Sequence, residues 1–305
     1  MPVVTVIIPT YNRGTVVGRA IQSALNQSFR DLEVIVIDDG STDCTGHVLR
    51  QIQDRRIRII LSNRNRGSGA ARNRGLEIAR GKYIAFLDSD DEWHADKIEQ
   101  QVSLMESLGD DWGVCHTGVE VVKANKGKVV IPADSETIGD VFCDYVTGGL
   151  SFHTPTLLVR RACFSRIGLF RESLRRMEDS ELMMRLLAVY RLTALPDPLA
   201  RCHHEYRLGI SDQVTAACLE IIRIHHGSIQ FRHGPNIARQ FRSNLHGVAA
   251  EANFRDLRLC RGAQYAALAC VDHISRRSLR PLRALALGMA MRSPVRRFLT
   301  PTIHA

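Results

Sequence analysis

The sequence predicts an α/β fold, an open and mostly parallel central sheet flanked by helices, with a helical extension behind it. Three observations predict this class. Short β-branched runs alternate with amphipathic stretches through the first 110 residues, the rhythm of strand–helix–strand units. Several of the runs end in polar clusters, where open α/β sheets bind ligands beyond their strand ends. From about residue 213 the chain keeps helical periodicity almost to its end.

The elements follow in order. VVTVIIPTY is an apolar run closed by a proline, and reads as the first strand. VVGRAIQSALNQS puts Val17, Ala20, Ile21, Ala24 and Leu25 on one helical stripe. LEVIVIDDG is a second strand, and STDCTGHVLRQIQ a helix capped by Ser41 or Thr42. RIRIILS is a third strand, followed by the helix SGAARNRGLEIARG ended by Gly81. KYIAFLDSDD is a fourth strand, and DKIEQQVSLMESLG a helix. Beyond these, VCHTGVEVV and GKVVIP read as a hairpin around NKG. TPTLLVRRACFSRIG reads as a strand entering a short helix, and SELMMRLLAVY as a helix. Breaks in the helical tail are expected near Gly227, Gly234–Pro235 and Pro281. The organisation expected is a ligand-binding and catalytic domain over 1–212 and a basic, mainly helical region over 213–305.

The chain has 305 residues, 45% hydrophobic and 24% charged, enough for a sizeable core and unlike a disordered composition. No 18-residue apolar window suggests a membrane span, and the first residues read as a strand instead of a secretory signal. Eight scattered cysteines lack zinc-like spacing, so free thiols in a reducing cytoplasm are expected. The net charge of +9 is uneven: residues 201–305 hold 16 Arg and no Lys against 6 acidic residues. Within this part, residues 273–299 mix arginine with Leu279, Leu282, Leu285 and Leu287, the pattern of an amphipathic helix on an anionic membrane or of a packed helix exposing its arginines. Nucleic acid is not expected as a partner, because no binding motif accompanies the charge and aromatics are 6%. Oligomeric state is not legible.

Five polar clusters carry chemistry. Asp88, Ser89, Asp90 and Asp91 follow an apolar run, and carboxylates so crowded repel one another. A divalent cation relieves that cost, and Mg²⁺ or Mn²⁺ commonly takes one or two carboxylates plus substrate phosphates; a solvated acidic turn is the alternative. Asp38 and Asp39 suit hydrogen bonds to a base or ribose, or a capped turn. Arg72 lies among small residues in NRNRGSGAARNRG, within reach of a phosphate or of an acidic strand end, and neither a Walker loop nor a dinucleotide fingerprint is present. Glu178 and Asp179 open a helix, where acids suit the dipole or serve as a general base. His203 and His204 could meet a diphosphate or simply pack.

Taken together, TVIIPTYNR, LNQSFRDLEVIVIDDGSTD, NRGSGAARNRGLEIARGKYIAFLDSDDEW, LLVRRACFSRIGLF and EDSELMMRL closely resemble the family 2 glycosyltransferases of the GT-A fold, over roughly residues 4–190. The resemblance implies a Rossmann-like sheet. It also implies metal-dependent, inverting transfer of a sugar from a nucleotide diphosphate sugar, a UDP-sugar being favoured, to an acceptor hydroxyl in surface polysaccharide or lipopolysaccharide assembly. The acceptor would be a glycan or a lipid-linked glycan, and the location cytoplasmic, on the inner face of the cell membrane if the tail binds lipid. By the same resemblance Pro9, Thr10, Tyr11 and Asn12 line the first nucleotide loop, and Asp39, with Asp38 beside it, meets the base. Arg72 faces the nucleotide. Asp90 is the main metal ligand, and Asp88 helps place ribose and metal. Ser89 lies between these two, and Asp91 supports them or meets the donor sugar. Asp179 is the general base, and Glu178 meets the acceptor or supports the base. A sugar-activating nucleotidyltransferase and a non-catalytic nucleotide-sugar-binding protein are the alternatives.

Overall fold

The computed structural model describes residues 1–123, 127–133, 138–204 and 208–272. The arginine-rich segment 273–299 and Pro281 lie outside the described residues.

The chain begins with β1 (Val4–Thr10), α1 (Val17–Leu25), β2 (Leu32–Asp38), α2 (Thr45–Arg50), β3 (Ile57–Leu61), α3 (Ser68–Ile78) and β4 (Tyr83–Phe86). These strands run parallel in the order β3-β2-β1-β4. β1 and β2 are buried along their whole length, which explains why they read as continuous apolar runs. The stripe expected on α1 is the buried face: Val17, Ala20, Ile21, Ala24 and Leu25 all lie against the sheet core.

The second part of the sheet is built differently. It comprises β5 (Glu92–Trp93), α4 (Lys97–Glu106), β6 (Trp112–Lys123), β7 (Gly127–Ile131), α5 (Phe142–Val146), β8 (Leu158–Arg160), α6 (Ala162–Ile167), α7 (Glu178–Leu187) and β9 (Arg191–His204). β8 pairs antiparallel with both β4 and β6, β7 antiparallel with β6, and β5 antiparallel with β9, while β6 and β9 run parallel. The sheet is therefore mixed, which corrects the mostly parallel expectation. Helical crossovers that enforce parallel pairing occupy only the first 86 residues or so.

β9 has no counterpart in the sequence reading. Pro196 and Pro198 argue against a strand, and the structure accommodates them at register shifts where β9 passes Thr117 and Gly118 of β6. The cap expected for α2 is also corrected. That helix begins at Thr45, and the Ser41 and Thr42 groups are spent on the preceding turn.

The chain divides into two compact units, Met1–Phe142 with Phe152–Tyr206, and Cys143–Ser151 with Arg207–Ala305. In the second unit, α8 (Ser211–Arg255) packs on α9 (Leu259–Asp272). The break expected at Gly234 is present, with a non-helical φ of 84° ahead of Pro235, whereas α8 runs through Gly227 without one. Asp256 accepts from the Gly209 and Ser211 N–H groups, closing the start of α8. Among the described residues no helix is long and apolar enough to cross a membrane. All eight cysteines are free.

Candidate active site

The site is assembled at the C-terminal ends of β1, β2 and β4. After β1 and β2 the chain turns twice, and the two turns are laced together. Asn12, at φ 51°, donates its N–H to the Ser41 hydroxyl at 2.9 Å and accepts from the Thr42 N–H at 2.8 Å. Arg13 N–H donates to Thr45 Oγ1, and Gly14 N–H to Asp43. Asp38 accepts from both the N–H and the hydroxyl of Ser41. Asn12, through its N–H and Oδ1, and Asp38, through Oδ1, thus hold these loops. Pro9 and Thr10 are buried at the strand end, the Thr10 hydroxyl having no hydrogen-bond partner among the described residues, and Tyr11 is 43% exposed.

Asp39 reaches the other way. Its carboxylate accepts from the Arg66 N–H at 2.9 Å and the Gly67 N–H at 2.7 Å, fastening the start of α3 to the end of β2. Gly40 makes this possible. It holds φ 79°, and a Cβ there would stand 2.7 Å from the Arg64 backbone. A cavity of about 360 Å³ lies beside Asp39, lined by Asn63, Arg64, Arg66, Asn73 and Arg74 among others.

Arg72, buried on α3, is the hub. It donates to Asp88 Oδ1 and to Glu178 Oε1, each at 2.7 Å. Burial works against its charge, but Asp88, Glu178 and Asp179 outweigh that and hold the guanidinium ionised. The Ser68 hydroxyl also donates to Glu178. The carboxylate of Glu178, itself buried, is therefore taken up by α3.

The acidic strand end surrounds that hub. Desolvation pushes the Asp88 carboxyl up, and the charges of Asp90 and Asp179 add to it against the pull of Arg72. Asp91 is pushed up to about 8 by burial and by Asp88, against the His203 N–H that donates to its Oδ1. Ser89 is buried between them. Asp90 is more open and meets the Arg13 guanidinium at 3.5 Å, while Arg19 donates to its backbone carbonyl at 2.7 Å. The His203 ring turns to Glu92 at 2.9 Å, so at this strand end its backbone N–H faces Asp91 and its imidazole faces away. His204 closes β9, and its side chain lies outside the described residues.

α7 brings in the last group. Met177, at φ 59°, turns the chain into the helix so that Glu178 and Asp179 form its first turn. Asp179 accepts from the Thr154 hydroxyl at 2.8 Å and from the Ser180 N–H at 2.7 Å. Its charge acts on both Arg72 and Asp88, so two acidic motifs some ninety residues apart stand close together around Arg72.

The structure thus brings Arg72, Asp88, Glu178 and Asp179 together, joins Asp39 to them through the start of α3, and adds Asp90 and Asp91 along the strand end. Arg13, Arg19, Ser68 and Thr154 were not singled out from sequence. Arg13 and Arg19 had a signal, basic residues in the loop before α1 and in its first turn, near an acidic strand end; Ser68 and Thr154 had none.

A divalent ion would find hard carboxylate oxygens at Asp88 and Asp90, in a place where like charges crowd and burial raises their cost. Among the described residues no three ligand side chains gather as a protein cage. The donor set fits a cation that takes one or two carboxylates and completes its shell with phosphate and water.

Comparison with known proteins gives the family and the fold. The family described as "Glycosyl transferase family 2" matches residues 5–153. The amylovoran biosynthesis glycosyltransferase AmsB of Erwinia amylovora is 30% identical over 214 residues, 67% of this chain and 71% of that one. The UDP-Glc:alpha-D-GlcNAc-diphosphoundecaprenol beta-1,3-glucosyltransferase WfaP of Escherichia coli is 44% identical over 107 residues, 35% of this chain and 43% of that one. The chain spans about half the length of several such relatives. In fold it is similar to the mannosyltransferase PcManGT of Pyrobaculum calidifontis, solved with GDP-Man and Mn²⁺, at TM-score 0.60 and 22% identity over 95% of this chain and 80% of that one. With its mixed sheet, flanking helices and acidic strand end, the chain belongs to glycosyl transferase family 2.

Proposed function

We propose that the chain transfers a glycosyl group, with inversion, from a nucleotide diphosphate sugar to an acceptor hydroxyl during surface polysaccharide or lipopolysaccharide assembly. The observation that carries this reading is the shared wall formed by Asp88, Arg72, Glu178 and Asp179. The relatives named for amylovoran biosynthesis and for glucosyl transfer to a diphosphoundecaprenol-linked sugar support the class of product and a UDP-sugar donor. A lipid-linked glycan is the acceptor class favoured, which would bring the chain to the cytoplasmic face of a membrane.

Each group then has a task. Tyr11 and the cavity beside Asp39 receive the nucleoside, with Asp38 and Asn12 holding the loops that frame it. Asp90 and Asp88 would hold Mn²⁺ or Mg²⁺, which when bound neutralises charge on the leaving diphosphate. Arg72 binds Asp88 and ties it to Glu178, so Glu178 acts as support for its neighbour Asp179. Asp179 accepts the proton of the acceptor hydroxyl. The acceptor oxygen forms its bond to the anomeric carbon as the bond to phosphate breaks on the opposite face, and no sugar–enzyme intermediate is needed. Asp91, whose carboxyl burial pushes up, sits behind the site against β9.

The test is a panel of nucleotide sugars with Mn²⁺ or Mg²⁺, reading the released nucleotide. Nucleoside diphosphate release supports glycosyl transfer. Pyrophosphate release from a nucleoside triphosphate and a sugar phosphate would mark a nucleotidyltransferase instead, and binding without any release a carrier.

A further inference from the structure

We propose that Thr154 is a positioning residue that locks the carboxylate of Asp179 in its working orientation. The inference rests on the reading of Asp179 as the general base.

An aspartate carboxylate turns about χ2 in a broad, two-fold well, so nothing intrinsic to the side chain aims its oxygens. Here each oxygen is held by a different element. Ser180, next in the chain, donates its N–H to Oδ1 at 2.7 Å. Thr154, 25 residues earlier and in a separate 3-10 turn (Thr154–Thr156), donates its hydroxyl to Oδ2 at 2.8 Å. With one oxygen tied within α7 and the other tied across the cleft wall, rotation breaks a hydrogen bond either way. The Ser180 hydroxyl adds a longer bond to the same Oδ1 at 3.4 Å, so Oδ2 is the oxygen left to take an incoming proton.

The turn that presents Thr154 is itself braced. Trp93 Nε1 donates to the Pro155 carbonyl at 2.7 Å, and Gln101 Nε2 to the Thr156 carbonyl at 2.9 Å. Lys97 Nζ donates to Gln101 Oε1 at 2.6 Å and lies 4.3 Å from the centre of the Trp93 ring. Thr154 and Thr156 are both buried, and the comparison between them is informative. Thr156 satisfies its hydroxyl locally, on the His153 carbonyl at 2.7 Å, the ordinary solution for a buried threonine. Thr154 instead reaches another helix and ends on the one carboxylate assigned to proton transfer. Small errors in the placement of a base reduce turnover without weakening binding, and that is the effect such a tether guards against.

The experiment compares Thr154→Val, Thr154→Ala, Thr154→Ser and Asp179→Asn in the full chain. It measures melting temperature, affinity for UDP-glucose and GDP-mannose with Mn²⁺, nucleoside diphosphate release from whichever is turned over, and the Asp179 side-chain orientation in crystals of each threonine variant. The expected result is a fall in kcat of about 10- to 100-fold in the valine and alanine variants with donor affinity unchanged. Asp179 is rotated or split between orientations in both, and the serine variant recovers the rate and the orientation. If Asp179 keeps its orientation in the valine or alanine variant, or if those variants keep the wild-type kcat, the proposal is wrong. A loss confined to donor affinity also overturns it. Undiminished turnover in Asp179→Asn would remove the general-base reading itself. Collapse of that variant beside unaffected threonine variants would remove only the positioning role.

Discussion

The parallel half of the sheet, β1 to β4, and the mixed half, β5 to β9, solve the same problem by different means. In the parallel half the loops at the strand ends hold one another directly: Asp38 is held by Ser41, Asn12 by Thr42, and Asp39 by the start of α3. In the mixed half Asp179 is held by Thr154, whose 154–156 turn is in turn held by side chains of α4 and β5. Mutually bonded loops form one rim, whereas Asp179 depends on a separate turn that needs its own supports.

The comparison can be broken at the base first. Asp179→Asn should lower kcat by about 10³-fold, within the range for removal of a general base, while the parallel half still binds donor. A steady-state assay beside calorimetry reads both. Next comes the joint between the halves. Arg72→Met leaves Asp88 and Glu178 without their cation, and a denaturant titration should register a loss of about 3–5 kcal/mol. A loss below about 1 kcal/mol would mean that the halves are not tied through this residue.

Lys97 sharpens the contrast through pH. It is buried without a carboxylate partner among the described residues, and desolvation pulls its amine down to about 7 from 10.5. Between those values Lys97 binds more proton in the unfolded chain than in the folded one, so its contribution to stability climbs with pH across that window. Lys97→Met should abolish the climb and raise stability at pH 6 by roughly 2 kcal/mol, read from melting curves at pH 6 and pH 10. A variant whose curve still climbs as the parent's does would exclude Lys97 as the source. A smaller effect is expected in the parallel half. Gly40→Ala forces a Cβ onto the Arg64 backbone at positive φ and should cost about 1–3 kcal/mol, with weakened donor binding as Asp39 shifts. The smallest belongs to β7, whose residues are all exposed. Val130→Thr should change stability by less than about 0.5 kcal/mol.

How much could be read beforehand follows the same division. β1 to β4 and the α1 stripe were legible because buried parallel strands are continuous apolar runs and α1 has a clean 3.6-residue period. DSDD and the acidic pair at the start of α7 were legible as unusual local charge. β9 was hidden because Pro196 and Pro198 mimic a loop, and its pairing depends on β6 some eighty residues earlier. Two-residue β5 carries no periodicity at all. Lys97, Gln101 and Thr154 look like ordinary polar positions until folding sets them beside Trp93 and Asp179. Asp38 and Asn12 each use one side-chain oxygen to close the loops at the strand ends, a task that spacing alone does not reveal.

The most direct test measures donor binding by calorimetry, with and without Mn²⁺, in Asp90→Ala and Asp179→Asn side by side. The account predicts that Asp90→Ala loses the metal-dependent part of the affinity and that Asp179→Asn keeps all of it while its turnover collapses. Mn²⁺-enhanced binding that survives Asp90→Ala, or that vanishes in a folded Asp179→Asn, would contradict the division of labour between the two acidic motifs.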